Sequence, residues 1–141
     1  MSGMRQQLRD NLVALTSLAV ALAALGYNTW RNEQTERNRN VRVAGIELLQ
    51  EIGSLQQIIF YAHYSAGDQR GDPRMGWADA LTINDLATIM PADVMREAAE
   101  LKSAWEENAE SLVEDEGAFR RIDGAIEELR QATLASLRAL R

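Results

Sequence analysis

The apolar residues of this chain of 141 residues form an unbroken block near the N-terminus and a regular stripe farther along. Residues 11–30, the unbroken block, contain no charged side chain. In a helix, which rises ~1.5 Å per residue, this block reaches about 30 Å, the thickness of the hydrocarbon core of a membrane. The pattern therefore predicts a membrane anchor helix over residues 1–30.

Two groups of side chains on this helix predict contacts with its surroundings. Small residues recur at helical spacing and would let a second transmembrane helix approach closely, which predicts a transmembrane contact. The residues of this stripe are Thr16, Ala19, Ala23 and Gly26. Alanine as neutral filler in a weak anchor explains the same stripe equally well. At the C-terminal end, Tyr27, Trp30 and Arg31 match the aromatic and basic residues found at a membrane interface.

A cleaved secretory signal is the alternative interpretation of the block, because Arg5 and Arg9 precede it and Ala19, Ala21 and Ala23 offer a cleavage site. The apolar run continues to residue 30, beyond the usual length of a signal core, which favours an uncleaved anchor. Four arginines follow the block closely and two precede it, so the positive-inside rule slightly favours a cytoplasmic C-terminal domain. Insertion in the opposite direction stays open as the alternative.

The chain after the anchor is patterned as a long helix followed by a loop. Residues 31–40 have no apolar side chain but also no proline or glycine, which predicts a polar helical extension of the anchor. From Val41 the apolar positions alternate spacings of four and three, as in a helical bundle. They are Val41, Gly45, Leu48, Ile52, Leu55, Ile59 and Ala62. One helix is predicted from about Leu8 to His63, and the glycines and proline of residues 65–76 predict a loop.

The remaining residues predict further helices. Thr82 and Asp85 have the spacing of an N-terminal capping box, which predicts a short helix ending at Met90. Beyond Pro91 the apolar stripe continues to residue 140, either as one helix of about 75 Å or as a hairpin that reverses near Gly117. The hairpin is favoured, because glycine can adopt a left-handed turn and the acidic residues 114–116 disfavour a continuous helix.

The predicted fold class is therefore all-α, with an anchor helix that continues into an antiparallel bundle. The segments 41–63, 91–113 and 118–140 have matched lengths, which favours a three-helix bundle, with a four-helix bundle as the alternative. The predicted organisation is a membrane anchor over residues 1–30, a polar helical extension over residues 31–40 and an acidic bundle over residues 41–141.

Charge divides the chain in the same way as hydropathy. Residues 1–42 carry six arginines and three acids, a net charge of +3, whereas residues 43–141 carry nine basic and eighteen acidic residues, a net charge of −9. Together they give the formal net charge of −6. A domain this acidic is repelled by nucleic acid, which excludes nucleic acid as a partner. The absence of cysteine excludes disulfides and cysteine metal sites.

No group of residues in the sequence matches a catalytic, cofactor or metal site. His63 is the only histidine, whereas zinc and di-iron sites need several ligands in a defined pattern. Because a helix dipole favours a cation near its C-terminus, His63 is interpreted as a capping residue. The glutamates lie mostly off the apolar stripe and are interpreted as a solvated face. We therefore predict a protein that is not an enzyme, with no cofactor, no metal and no small-molecule substrate.

The predicted loop carries mixed charges and one aromatic ring that suit recognition of another protein. These residues are Asp68, Arg70, Asp72, Arg74 and Trp77. Loops held by a rigid scaffold often carry binding residues, so they are candidate partner contacts. An ordinary connection between two helices is the simpler interpretation.

The junction Gly26-Tyr27-Asn28-Thr29-Trp30-Arg31-Asn32-Glu33 passes from an apolar helix through an Asn/Trp pair into a charged helix. It resembles the junction in small uncharacterised bacterial membrane proteins with a single N-terminal anchor. The resemblance covers this junction region and implies an anchored chain, with no activity attached to it. Arginine outnumbers lysine fourteen to one, which is typical of a GC-rich bacterial genome.

Together these patterns predict a non-enzymatic accessory or scaffold subunit that acts through protein–protein contacts in a bacterial inner-membrane assembly. The expected partners are membrane lipid and another membrane-protein subunit, or further copies of the chain in a homo-oligomer. The alternative is a sensor or signal-relay module that transmits a helix shift across the membrane. The lack of a second transmembrane segment and of an output domain argues against the relay.

Overall fold

The computed structural model describes residues 2–140, with the side chains of residue 7 and of residues 11–140. Over this range the chain has four α-helices and no strand. The helices are α1 (Ser2–Tyr64), α2 (Pro73–Ala87), α3 (Ala92–Asn108) and α4 (Glu116–Ala139). The predicted all-α class, a long apolar N-terminal helix followed by a helical bundle, is confirmed.

The chain divides into two compact units, Met1–Arg37 and Asn38–Arg141. In the first unit, residues 11–37 are helical and exposed. Among the described residues, α1 is the one helix long and apolar enough to cross a membrane, and its apolar window is not buried within the protein. Some residues named in the predictions lie outside the described part of the chain. They are Met1, Arg141 and the side chains of Arg5 and Arg9.

The second unit is a bundle of four helices in which each helix runs antiparallel to the next. Gly45 of α1 lies beside Leu137 of α4, and His63, near the other end of α1, bonds to Glu116 at the start of α4. All the stripe positions predicted on this part of α1 are buried. Each fully buried leucine or isoleucine among them stabilises the fold by roughly 1.5–3 kcal/mol.

Helix α2 begins earlier than the sequence predicted. The Asp72 side chain accepts a hydrogen bond from the Arg74 amide at 2.9 Å, and Pro73 occupies the first helical position. Aspartate and proline are favoured at these positions, because one accepts from an unpaired amide and the other has a helical φ already fixed. The predicted loop over residues 65–76 therefore ends at residue 72, and the predicted start at Thr82 is wrong.

The predicted hairpin within residues 91–140 is present, but a different residue makes the turn. Helix α3 ends at Asn108, a short 3₁₀ segment covers Ala109–Ser111, and α4 begins at Glu116. The Asp115 side chain accepts a hydrogen bond from the Gly117 amide at 2.7 Å. Gly117 itself is helical, and among the described glycines only Gly67 has a positive φ, of 90°. The left-handed turn predicted at Gly117 is therefore wrong, because an aspartate cap starts α4.

Candidate interaction surfaces

The four small residues predicted to contact another transmembrane helix are exposed along α1. Thr16 donates its hydroxyl to the carbonyl of Leu12 at 2.8 Å, so this hydroxyl is already used within the helix. A Cβ atom added at Gly26 would meet no other atom within 4 Å. Thr16, Ala19, Ala23 and Gly26 thus leave room for a close neighbour, and their contact with one stays a prediction.

The residues predicted at the membrane interface are also exposed. The rings of Tyr27 and Trp30 lie 6.0 Å apart between centroids and are tilted by 41°. The Arg31 carbonyl accepts the hydroxyl of Thr35 at 3.0 Å, and its guanidinium group is exposed. An aromatic pair followed by a cation is the arrangement that anchors a helix at lipid headgroups, and this role stays a prediction.

The charged residues of the loop pair with one another. The Arg70 guanidinium contacts both oxygens of the Asp68 carboxylate, with Nη2 at 2.6 Å from Oδ2. Arg74 pairs with Asp72 in the same way, with Nη2 at 2.7 Å from Oδ2. Trp77 lies within α2 rather than in the loop. Four of the five residues therefore meet in two internal ion pairs, and the fifth, Trp77, lies on the helix that follows.

One of these ion pairs fastens the loop to α1. The Arg70 guanidinium lies 4.0 Å above the Tyr61 ring, and its Nη1 donates to the Tyr61 hydroxyl at 3.1 Å. Asp68 also caps the short 3₁₀ segment Gln69–Gly71 by accepting from the Arg70 amide. These contacts favour a structural role for the loop, as expected for an ordinary helix connection.

The Arg70 guanidinium lowers the pKa of the Asp68 carboxyl group from 3.8 to about 2, because it and the Arg70 amide donate hydrogen bonds to the ionised form. A pKa below the unfolded value means that the stabilisation is present above pH 3.8 and is lost as the pH falls through about 2. Carboxyl NMR should give an Asp68 midpoint near 2, and Arg70→Gln should raise it towards 3.8. An unchanged midpoint in the variant would contradict the assigned cause.

His63 joins α1 to the turn between α3 and α4. Its Nδ1 lies 3.1 Å from the Leu112 carbonyl oxygen and its Nε2 lies 2.7 Å from Glu116 Oε2. Its ring stacks on Phe119 with centroids 4.6 Å apart. Both oxygen partners accept hydrogen bonds, so both ring nitrogens donate only in the imidazolium form. The capping interpretation missed these contacts, because they depend on a turn that lies far away in sequence.

Beside this histidine, an open groove of about 450 Å³ lies between α1 and α4 on the surface of the bundle. Phe60, Tyr64 and Phe119 supply its aromatic wall, and Gln56 and Asp123 supply polar groups. Phe60 and Tyr64 contact each other with centroids 4.9 Å apart. Their position after a run of apolar residues was visible in the sequence, but their exposure was not.

Among the side chains that the structure describes, no three histidine, aspartate or glutamate residues are grouped so that they could hold a metal ion. Comparison with protein-family models, curated proteins and solved structures finds no match to this chain.

Proposed function

We propose that this protein is a single-pass, membrane-anchored helical subunit that acts by binding other proteins. The observation that carries the proposal is the exposure of apolar side chains in both units. The apolar window of α1 is unburied, and Phe60 and Tyr64 of the bundle are each more than half exposed. Apolar surface that a folded chain does not cover marks contact with lipid or with another protein.

The proposed location is the inner membrane of a bacterium, with the bundle on the cytoplasmic side. The arginines after the apolar block support this orientation, because positive charge next to a transmembrane helix tends to stay in the cytoplasm. The proposed partners are another membrane-protein subunit or a second copy of this chain. The acidic surface of the bundle supports a protein partner rather than nucleic acid.

Alkaline carbonate extraction tests the anchor. The full chain should stay in the membrane pellet, and a Leu18→Arg/Leu22→Arg variant should be washed into the supernatant, because each arginine near the helix centre costs about 2.5–3.5 kcal/mol of insertion free energy. A matched Leu134→Arg variant in the bundle should stay in the pellet. Release of the unmodified chain, or a mature N-terminus that begins after Ala21 or Ala23, would contradict the proposal.

Chemical crosslinking in native membranes, followed by affinity purification in mild detergent, tests the binding role. The chain should be recovered in a stable complex, either with another membrane protein or with itself. A chain that is recovered as a monodisperse monomer without crosslinks would contradict the scaffold role while leaving the anchor intact.

A further inference from the structure

We propose that an exposed ridge on α1 is the contact surface of a parallel dimer formed by two copies of this chain. The ridge residues recur at alternating spacings of three and four within the second unit. They are Val43, Ile46, Gln50, Gly53, Gln57, Phe60 and Tyr64. The inference rests on the proposed function, because a second copy of this chain is one of the two partners proposed there.

The ridge is apolar at both ends and open to solvent. Val43 and Ile46 are each 50% exposed, and Phe60 and Tyr64 are 53% and 58% exposed. The stripe from Val41 to Ala62 on the same helix already packs into the bundle core. A helix at the surface of a monomer needs one apolar stripe. A second stripe at heptad spacing is the pattern by which one helix packs along another.

The centre of the ridge allows a partner helix to come close. A Cβ atom at Gly53 would meet no other atom within 4 Å, so the fold of a single copy does not require glycine there. Glycine weakens a helix relative to alanine, whereas it helps two helix backbones approach each other. Gln50 and Gln57 flank it, and in a parallel pair each amide can hydrogen-bond to the same residue of the partner copy.

Charged residues beside the ridge favour a second copy of this chain as the protein that binds there. In heptad terms the ridge residues are a and d, Arg42 is a g position and Glu47 is the following e position. In a parallel pair in register, Arg42 of each copy faces Glu47 of the partner copy, so symmetry makes the ion pair twice. Neither side chain forms a salt bridge among the described residues of a single copy.

An antiparallel pair lacks this complementarity. With Gly53 at the centre of the contact, an antiparallel arrangement would place Arg42 beside the aromatic end of the partner's ridge instead of beside Glu47. The ridge residues themselves are uncharged, so no like charges meet along the ridge itself. The groove beside Phe60 and Tyr64 leaves space for the partner's aromatic side chains.

Cysteine crosslinking tests the arrangement directly, because the native chain contains no cysteine. The full chain carrying Gln50→Cys or Gln57→Cys is expressed in membranes and oxidised. In a parallel pair in register, identical positions on the ridge approach within the ~4.4–6.8 Å between Cα atoms that a disulfide allows. Each variant should form at least about tenfold more disulfide-linked dimer than Glu128→Cys, an exposed position on α4.

Mixing the Gln50→Cys and Gln57→Cys chains distinguishes the two directions. Crosslinks that form mainly between residue 50 of one copy and residue 57 of the other, with few in either variant alone, would show an antiparallel pair and overturn the proposal. Crosslinking of the two variants no greater than that of Glu128→Cys would also overturn it. Circular dichroism of each variant confirms that the exposed substitutions leave the helices intact.

Charge reversal tests the predicted ion pair. Arg42→Glu alone and Glu47→Arg alone each replace two attractive pairs by two repulsive ones, and each should weaken the dimer about tenfold. The double variant Arg42→Glu/Glu47→Arg should restore association to within about threefold of the native chain. Equal weakening in the single and double variants would overturn the proposed register.

The outcomes separate this inference from the proposed function. A chain that resists carbonate and binds a different membrane protein, but gives no ridge crosslink, would keep the proposed function and overturn the dimer. A chain that is washed off the membrane yet crosslinks at the ridge would keep the dimer and overturn the proposed anchor.

Discussion

Replacing Trp105 with alanine is expected to lower the free energy of unfolding of the bundle by about 3–5 kcal/mol. Trp105 lies in α3, is fully buried and is the largest such side chain among the described residues. The tip of its ring occupies the space beside Gly76 of α2, where the Leu55 side chain of α1 also reaches. Removing the ring therefore leaves a cavity at the place where three helices meet, and the surrounding backbones cannot close it.

Unfolding of the full chain by guanidinium in mild detergent, monitored by far-ultraviolet circular dichroism, measures the loss of unfolding free energy. Trp105→Phe should cost less than Trp105→Ala, because it keeps a ring and removes an indole Nε1–H group that has no hydrogen-bond partner in the described structure. Trp77→Ala, at a site 38% exposed on α2, is the matched control. If Trp105→Ala destabilises the bundle no more than Trp77→Ala does, the assignment of Trp105 to the centre of the core is wrong.

The core of the bundle was predictable from the sequence because the buried residues of a helix recur at a regular spacing along the chain. Val94, Ala98, Leu101 and Trp105 recur at spacings that place them on one side of a helix, and all are buried. The two polar residues that interrupt the same stripe, Asn108 and Asp115, mark the turn between α3 and α4. The amide of Asn108 is satisfied while buried, because its Oδ1 accepts from Arg121 Nε at 2.7 Å and its Nδ2 donates to the Ala104 carbonyl at 2.7 Å.

The start of α2 was predicted too late, because glycine occurs both in flexible loops and where a helix packs closely against another side chain. Glycine between helices usually signals a loop, since its backbone is flexible. Gly76 instead lies inside α2, where a Cβ atom would come within 2.3 Å of the Trp105 ring. Close packing against a distant ring explains this glycine, and a single sequence does not reveal which ring will lie there.

The candidate surfaces were predictable to different degrees. The apolar block was evident from its composition, since an uncharged run of this length is uncommon outside membranes. The α1 ridge is also visible in the sequence as a second heptad stripe, but it contains fewer apolar residues than the core stripe on the same helix, so its pattern is weaker. The contacts of His63 were not predictable, because they depend on the α3–α4 turn folding back onto the end of α1.

The second large effect is expected from Gly71→Ala, which should lower the free energy of unfolding by about 3 kcal/mol. A Cβ atom at this position would lie 2.3 Å from the backbone nitrogen of Ala62 and 2.6 Å from the carbonyl carbon of Tyr61. Both atoms belong to the main chain of α1, which cannot move as a flexible side chain would. The loop must therefore separate from α1, and the contact between Arg70 and the Tyr61 ring is lost with it.

Two other glycines serve as controls for this substitution in the same unfolding experiment. Gly124 lies within α4 with open space around it, so Gly124→Ala should raise the unfolding free energy by about 0.5–1 kcal/mol. Gly67 has a φ of 90° and open space, so Gly67→Ala should cost about 1–2 kcal/mol through backbone strain alone. The φ of Gly71 is not positive, so alanine there introduces no backbone strain of this kind. A Gly71→Ala chain that loses no more stability than the Gly67→Ala chain would therefore contradict the clash with α1.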